Sequence, residues 1–305
     1  MKILFRAFLA AAACGLTLPP VVHAASGPFE VAVTVDDLPA HGSLPPGMTR
    51  TGIAQAHINA FKAHGVPEAF GFVNAAKLAE GAGNAAVLDL WRAAGHPLGN
   101  HANSHMNLAH APSLADWQAD VVAGEPAVAA RMAGADWHYF RFPNLAVGDD
   151  ARGREALAWL AGRGYRIADV SIAFSDWSYT DPYARCVAKD DQTAIAALKA
   201  HYLDVVDRGI AHTLDASRRL YGRVIPLVLL THVGGFSAVT LPDVLARLDA
   251  AGARYVPLSR ALADPAYATP GGGSLITRAA GATGIALPAE TRSALPALDL
   301  KEICK

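Results

Sequence analysis

The feature that most constrains the fold is a regular alternation between short apolar runs and longer Ala-rich segments with helical periodicity. One run, at residues 225–231, shows no polar alternation, as expected of a strand buried on both faces of a parallel sheet. The sequence predicts strands at 30–35, 68–73, 97–99, 138–142, 165–174, 225–231 and 254–257. It predicts helices near 51–64, 84–94, 113–133, 150–163, 190–221, 241–251 and 259–264. Seven such strand and helix units predict a single distorted (β/α) barrel in the α/β class.

The chain also carries the pattern of an export signal ahead of this domain. Lys2 and Arg6 precede an apolar run at residues 7–18, and Val22 and Ala24 provide the small residues that signal peptidase requires. That run is too short for a permanent membrane span, which needs about 20 residues. We expect three segments, namely a signal peptide at 1–24, a barrel domain at 25–264 and an irregular C-terminal tail at 265–305 that packs on the barrel.

Export would leave a protein without a transmembrane segment, either in the periplasm or secreted from a bacterium. A lipoprotein anchored through Cys14 is a weaker alternative, because the residue three positions earlier is Ala11 and not the usual Leu. Cys186 and Cys304 would then lie in an oxidising compartment, where they either form a disulfide or remain two unrelated thiols. The sequence alone leaves both possibilities open.

The composition limits the class of partner. The 305 residues include 26 basic and 27 acidic side chains, and this balance argues against nucleic acid, which requires a clear basic excess. Hydrophobic residues make up 52% of the chain and charged residues 17%, so a large core is expected and a disordered chain is excluded.

Ionisable side chains follow five of the predicted strands, at the points where those strands end. They are Asp36 and Asp37, His101 and His105, Arg141, Asp176 and, after the sixth strand, His232. The carboxyl ends of the strands of a parallel barrel open on one face, where barrel enzymes place their chemistry. The pattern therefore predicts an active site on that face.

Two pairs within this set suggest a metal centre. His101 and His105 are four residues apart and can meet one ion, although such a spacing also arises by chance among 12 histidines. Adjacent carboxylates such as Asp36 and Asp37 repel each other, and a nearby cation usually stabilises such a pair. The alternative is that the two residues lie in an exposed loop and cap the next helix. One carboxylate could bind the ion while the other acts as a general base. Arg141 could hold that base in place by a bidentate pair, or it could form a salt bridge at the barrel rim. Zn²⁺ suits such a site, and Co²⁺, Mn²⁺ or Ni²⁺ are possible.

Five segments, taken in order, resemble the motifs of the polysaccharide deacetylases of carbohydrate esterase family four, which contain the NodB-homology domain. The segments are VTVDDLP at 33–39, LGNHANSH at 98–105, YFRFP at 139–143, SDWSY at 175–179 and LTH at 230–232. The resemblance covers about residues 30–260 and implies a NodB-type barrel. Five motifs in the right order are very unlikely to agree by chance.

The resemblance also implies a role for each matching residue. Asp36 would be the general base, and His232 the general acid that protonates the leaving group. Arg141 would orient the base, and we expect Asp176 to hold His232 in its protonated form. The implied metal ligands are Asp37, His101 and His105, and the implied substrate contacts are Pro143, Trp177 and Leu230.

The chain departs from the family pattern at three positions. Leu38 and Leu145 stand where the family usually has Gly, and Ala102 stands where it usually has Ser or Thr. No reacting group is lost, so these changes bear on loop shape and substrate more than on chemistry. His41, close to the Asp pair, is either a substrate contact or an ordinary loop residue.

These observations predict a hydrolase of non-peptide carbon–nitrogen bonds, namely a metal-dependent deacetylase acting on the N-acetyl groups of a poly- or oligosaccharide. A hydrolase of the same fold acting on a non-saccharide amide or an O-acetyl ester is the main alternative. A non-catalytic carbohydrate- or metal-binding module is disfavoured, because Asp36 and His232 are both present and binding alone needs neither.

Overall fold

The computed structural model describes residues 27–81, 83–148 and 150–305, so the predicted signal peptide at 1–24 lies outside the described residues. Eight parallel strands form one sheet within this part of the chain. They are β1 (Phe29–Leu38), β2 (Ala69–Val73), β3 (Leu98–Asn100), β4 (Tyr139–Phe140), β5 (Arg166–Ile167), β6 (Ile172–Ala173), β7 (Leu227–His232) and β8 (Ala253–Tyr255).

The sheet is built around β1, which is the longest strand and is almost entirely buried. The strand order is β5-β4-β3-β2-β1-β7-β6, and β8 pairs with the first residues of β1. This order curls into a half-barrel with helices around it, which confirms the predicted distorted (β/α) barrel. The register between β1 and β7 places Asp36 opposite His232, so two predicted site residues meet at one edge.

Nine α-helices occur in the described residues, joined by loops and short 3₁₀ turns. They are α1 (Arg50–Ala63), α2 (Asn84–Ala93), α3 (Leu114–Ala129), α4 (Ala151–Gly162), α5 (Trp177–Ala188), α6 (Gln192–Tyr221), α7 (Gly235–Ala250), α8 (Leu258–Leu262) and α9 (Leu275–Thr283). Helix α3 begins as its sequence predicts, because the Ser113 hydroxyl accepts a hydrogen bond from the Asp116 amide at 3.1 Å. None of the helices described is long and apolar enough to cross a membrane.

The single strand predicted at 165–174 is wrong. It is two short strands, β5 and β6, at opposite ends of the sheet order. The residues between them include the buried polar side chains Asp169 and Ser171, which bond to residues far along the chain instead of continuing a strand. Helix α5 was also not predicted; it lies between the predicted strand at 165–174 and the predicted helix at 190–221.

The residues after 264 cover the outside of this barrel. They contain α9 and a 3₁₀ turn at Pro265–Tyr267, and no helix or strand follows Gly284. Of the two possibilities left open for the cysteines, the structure has the disulfide, with Cys186 on α5 bonded to Cys304. The Arg185 guanidinium also donates to the carbonyl oxygens of Leu300 and Ile303. Residues 300–304 are therefore bound to α5 by hydrogen bonds as well as by the disulfide.

Candidate active site

A cavity of about 320 Å³ opens at the carboxyl ends of the strands. Its lining consists of Asp36, Asp37, His41, His101, His105, Asn144, Leu145, Trp177, Leu230 and His232. Seven of the ten site residues predicted from sequence are therefore in one lining. Arg141 and Asp176 are buried behind it and bond to residues that line it. Pro143, predicted as a substrate contact, is buried and does not line the cavity.

Asp37, His101 and His105 form a compact set of potential metal ligands. One ligand atom from each lies within 4.8 Å of the others. Asp37 Oδ1 is 3.7 Å from Nε2 of His101 and 3.4 Å from Nε2 of His105. This oxygen is buried and has no hydrogen-bond partner, which is costly for a carboxylate unless a cation satisfies it. One carboxylate and two imidazoles are a donor set that suits Zn²⁺, so the residues fit a divalent cation.

Neighbouring groups fix the orientation of these ligands. His101 Nδ1 donates to the carbonyl oxygen of Arg141 at 2.7 Å, which leaves Nε2 to face Asp37. His41 Nδ1 lies 2.6 Å from the second oxygen of Asp37, so Oδ1 is the oxygen turned toward the two imidazoles. Contacts of this kind set the tautomer and direction of metal ligands in proteins.

The local electrostatics favour the protonation states that a metal requires. Burial lowers the pKa of His101, and burial together with the nearby His101 lowers the pKa of His105 to about 4. Burial alone would raise the pKa of Asp37, but the hydrogen bond from His41 and the nearby side chains of His101, Lys77 and His105 outweigh it and hold the pKa well below its ordinary value. Metal binding needs two neutral imidazoles and an ionised carboxylate, and both conditions are met at neutral pH.

Asp36 is held by a buried arginine on the other side of the ligand set. One nitrogen of the Arg141 guanidinium, Nη1, donates to both oxygens of Asp36 at 3.2 Å. The same side chain donates to the Thr34 hydroxyl at 3.0 Å and to the Ala168 carbonyl oxygen at 2.5 Å. Its donors are therefore directed at fixed acceptors, and the Asp36 carboxylate has one orientation at the cavity wall.

His232 lies in the same cavity but has a different partner. The two oxygens of Asp176 accept from His232 Nδ1 at 2.9 Å and from the His232 backbone amide at 2.7 Å. The Thr231 hydroxyl donates to the second of these oxygens at 2.8 Å. Burial would lower the pKa of His232, but the Asp176 carboxylate, together with Asp36 and Asp37, outweighs burial and raises the pKa to about 9. His232 is therefore an imidazolium at neutral pH, able to donate a proton.

The sequence matches a family model described as Polysaccharide deacetylase, over residues 24–159. The match covers less than half of the chain, and over those residues the chain is similar to the polysaccharide deacetylase family. This confirms the predicted resemblance, with three of the five motifs inside the matched residues, and the predicted class of enzyme, a hydrolase of carbon–nitrogen bonds other than peptide bonds. No curated protein matches the sequence significantly.

Solved structures share the fold at low sequence identity. A chitin deacetylase from Colletotrichum lindemuthianum is 23% identical, with a TM-score of 0.55 over 79% of this chain and 90% of that one. A family 4 carbohydrate esterase from Streptomyces lividans in complex with acetate is 18% identical, with a TM-score of 0.50 over 76% and 95%. A pseudoenzyme of the same esterase family from Bacillus anthracis is 14% identical, with a TM-score of 0.54 over 77% and 66%. Because a pseudoenzyme shares the fold, activity in this chain has to be argued from its residues.

The structure also brings residues to the site that the motifs did not identify. Lys77, from the 3₁₀ turn after β2, places its ammonium 3.7 Å from Asp37 Oδ1 and donates to the Ala40 carbonyl oxygen at 3.0 Å. Asn144 lines the cavity, and Thr34 bonds to Arg141 from within β1. No local sequence signal identifies them, because each reaches the site through a contact across the fold.

Proposed function

We propose that this protein is a metal-dependent deacetylase that hydrolyses N-acetyl groups of a poly- or oligosaccharide. One observation carries the proposal: a single cavity combines a ligand set for a divalent cation, an arginine-clamped carboxylate and a protonated histidine. The family match supports deacetylation as the reaction class. Zn²⁺ is the cation that the donor set of Asp37, His101 and His105 suits best, and it would polarise the amide carbonyl and activate water.

Asp36 is positioned to act as the general base. Its carboxylate lines the cavity beside the ligand set, and Arg141 fixes it with two hydrogen bonds. In the proposed reaction Asp36 accepts a proton from the attacking water. General acid–base groups of this kind contribute about 10²- to 10⁴-fold to rate.

His232 is positioned to act as the general acid. An amine is a poor leaving group unless it is protonated as the carbon–nitrogen bond breaks. With its Nδ1 bonded to Asp176, the imidazolium can donate only its Nε2 proton to the leaving nitrogen. Asp36 and His232 are paired opposite each other in the β1–β7 register, which places an acceptor and a donor of protons at neighbouring strand ends.

Two lining residues support a saccharide substrate. Trp177 is 56% exposed, which is unusual for so large an apolar side chain, and it stands where a sugar ring could stack on its face. Leu230 is buried in the lining, and we propose that it contacts the acetyl methyl group. We also propose that the protein is exported, on the basis of the residues 1–24 pattern and the Cys186–Cys304 disulfide.

The proposal is tested by acetate release from chitooligosaccharides, peptidoglycan and acetylated xylan, with and without added Zn²⁺ after chelation. We expect acetate from an N-acetylated saccharide, lost on chelation and restored by the ion. Release from xylan alone would favour the O-acetyl esterase alternative, and saccharide binding without any release would favour a binding module.

Asp36→Asn provides the matched chemical control. The amide can keep a hydrogen bond with Arg141 but cannot accept a proton, so kcat should fall by about 10²- to 10⁴-fold while metal content and substrate affinity stay close to wild type. Near-normal turnover in this variant would exclude Asp36 as the base.

A further inference from the structure

Two consecutive residues in the cavity wall have a left-handed backbone. Asn144 has φ = 56° and Leu145 has φ = 53°. Asn tolerates this region, but a residue with a bulky apolar side chain rarely adopts it, because its Cβ crowds the backbone. Leu145 is also one of the positions where the chain departs from the family pattern, with Leu in place of Gly. An unfavourable backbone at a site of this kind persists only where the surroundings hold it.

A segment after the last barrel strand supplies that support. We call this segment, residues 269–278, the C-terminal strap. Its Gly273 amide donates to the Leu145 carbonyl oxygen at 2.8 Å. The strap approaches so closely that a Cβ added at Gly272 would lie 3.0 Å from the same oxygen. The Leu145 amide in turn donates to the Phe142 carbonyl oxygen at 3.0 Å, so both polar groups of the Leu145 backbone are fixed.

The strap is itself anchored to the barrel behind the site. The Leu275 amide donates to the Val170 carbonyl oxygen at 2.7 Å, and the Arg278 guanidinium pairs with the buried Asp169 carboxylate at 2.6 Å. These contacts join the strap to the residues between β5 and β6. The strap therefore holds Leu145 against a fixed part of the fold.

The position of the Leu145 side chain shows what this arrangement does. It lines the cavity together with Leu230 and Trp177, beside the ligand set and His232. A glycine with the same backbone would leave the volume of that side chain open to a ligand. The additional apolar bulk restricts the room for the apolar end of a substrate, which in an amide of this class is the acyl chain.

We propose that Leu145, held in the left-handed conformation by the C-terminal strap, is a specificity-determining residue that limits the substrate to short acyl groups. The inference rests on the proposed deacylation at this cavity. The inference adds a limit on the size of the acyl group, which the Leu145 side chain sets and the reacting groups do not.

The test compares Leu145→Ala and Leu145→Gly with wild type on chitooligosaccharides that carry N-acetyl, N-propionyl or N-butyryl groups. One methylene in an apolar pocket changes kcat/KM by about 10- to 200-fold. We therefore expect the butyryl-to-acetyl ratio of kcat/KM to rise at least tenfold in both variants, with metal content unchanged. An unchanged ratio in both variants would overturn the proposal.

Equilibrium binding provides a readout that does not depend on turnover. The ratio of the affinities of butyrate and acetate for the Zn²⁺-loaded protein is measured by calorimetry, since carboxylates are the products of deacylation. We expect this ratio to rise in both Leu145 variants. If wild type releases no acetate but the affinity ratio rises, the proposed function fails and the size limit stands. If the affinity ratio is also unchanged, the size limit is wrong.

Thermal stability tests the role of the backbone separately. Leu145→Gly removes the side chain and with it the energetic cost of the left-handed backbone. Leu145→Ala removes most of the side chain but keeps Cβ, so the cost of the left-handed backbone remains. We expect Leu145→Gly to unfold about 2 °C higher than Leu145→Ala, because Gly adopts positive φ without penalty. Ala146→Gly is the matched control; its φ is −92°, so the added Gly should lower Tm. A Leu145→Gly variant that unfolds below Leu145→Ala would show that the strap holds no strained conformation.

Discussion

The cavity lining contains two kinds of histidine, His101 and His105 on the one hand and His232 on the other. Burial by itself lowers the pKa of all three. His101 and His105 have lowered pKa values and are neutral, whereas the pKa of His232 is raised to about 9. The difference lies in the group that accepts the hydrogen bond from Nδ1. For His101 that group is the uncharged carbonyl of Arg141, and for His232 it is the carboxylate of Asp176.

In the proposed mechanism, this contrast allows one residue type to serve as ligand and as acid within a single site. Burial penalises the imidazolium in both places, but a carboxylate in direct contact compensates for that penalty and a carbonyl does not. A neutral imidazole has a free lone pair for a cation, and an imidazolium has a proton to donate.

The largest effect is expected on the ligand side. His105→Ala removes one of three ligands, and two ligands rarely hold Zn²⁺ firmly, so both bound metal and deacetylation should be lost. Metal is measured by elemental analysis and activity by acetate release. His110→Ala, at an exposed position outside the lining, is the matched control and should retain both. Full metal content in His105→Ala would remove it from the ligand set.

The next effect is expected on the acid side. His232→Ala should keep its metal but lose about 10²- to 10⁴-fold in kcat on N-acetyl substrates, because the leaving amine is no longer protonated. Activated esters with good leaving groups need no proton, so their hydrolysis should fall much less. Equal losses on amide and activated ester would show that His232 serves another group, such as the oxyanion.

A smaller effect should follow from changing the partner of the acid. Asp176→Asn removes the charge that raises the pKa of His232, so that pKa should fall from about 9 toward its ordinary value near 6.5. The protonated acid then disappears at lower pH, and the alkaline limb of kcat/KM should move down by roughly two pH units. Metal content should not change. A limb that stays in place would mean that Asp176 does not control the acid.

The sequence predicts that these side chains lie together because their positions follow from local pattern and topology. Asp36 lies two residues before the end of β1, His101 directly follows β3 and His232 ends β7, and parallel strands place their carboxyl ends on one edge. The motifs are also short, so the four-residue spacing of His101 and His105 can be recognised from the sequence without knowledge of the fold.

What the sequence does not predict depends on contacts between distant positions. Residues 165–174 read as one strand, but Asp169 within them pairs with Arg278 on α9, more than a hundred residues later. The same is true of Leu145, whose backbone angle and strap contact with Gly273 leave no local signal. Helix α5 was also not predicted, and it contains Pro182, which counts against a helix interior when read locally, as Pro126 does in α3.

The smallest effect concerns stability, and it tests whether the fold itself favours the imidazolium. Because the folded pKa of His232 is about 9 and the unfolded value is near 6.5, folding takes up a proton between these pH values. The resulting stabilisation is fully present below about pH 6.5 and is lost as pH rises through 9, with a magnitude on the order of 3 kcal/mol. Asp176, with a lowered pKa, stays ionised across this window and does not contribute to the change.

The measurement is the difference in the free energy of unfolding between metal-free wild type and His232→Gln, taken from urea curves at pH 6, 8 and 10. The difference removes contributions from groups that titrate equally in both proteins. It should be largest at pH 6 and shrink steadily toward pH 10. A difference that does not vary with pH would mean that His232 is neutral in the folded protein, and the division between ligand histidines and an acid histidine would then collapse.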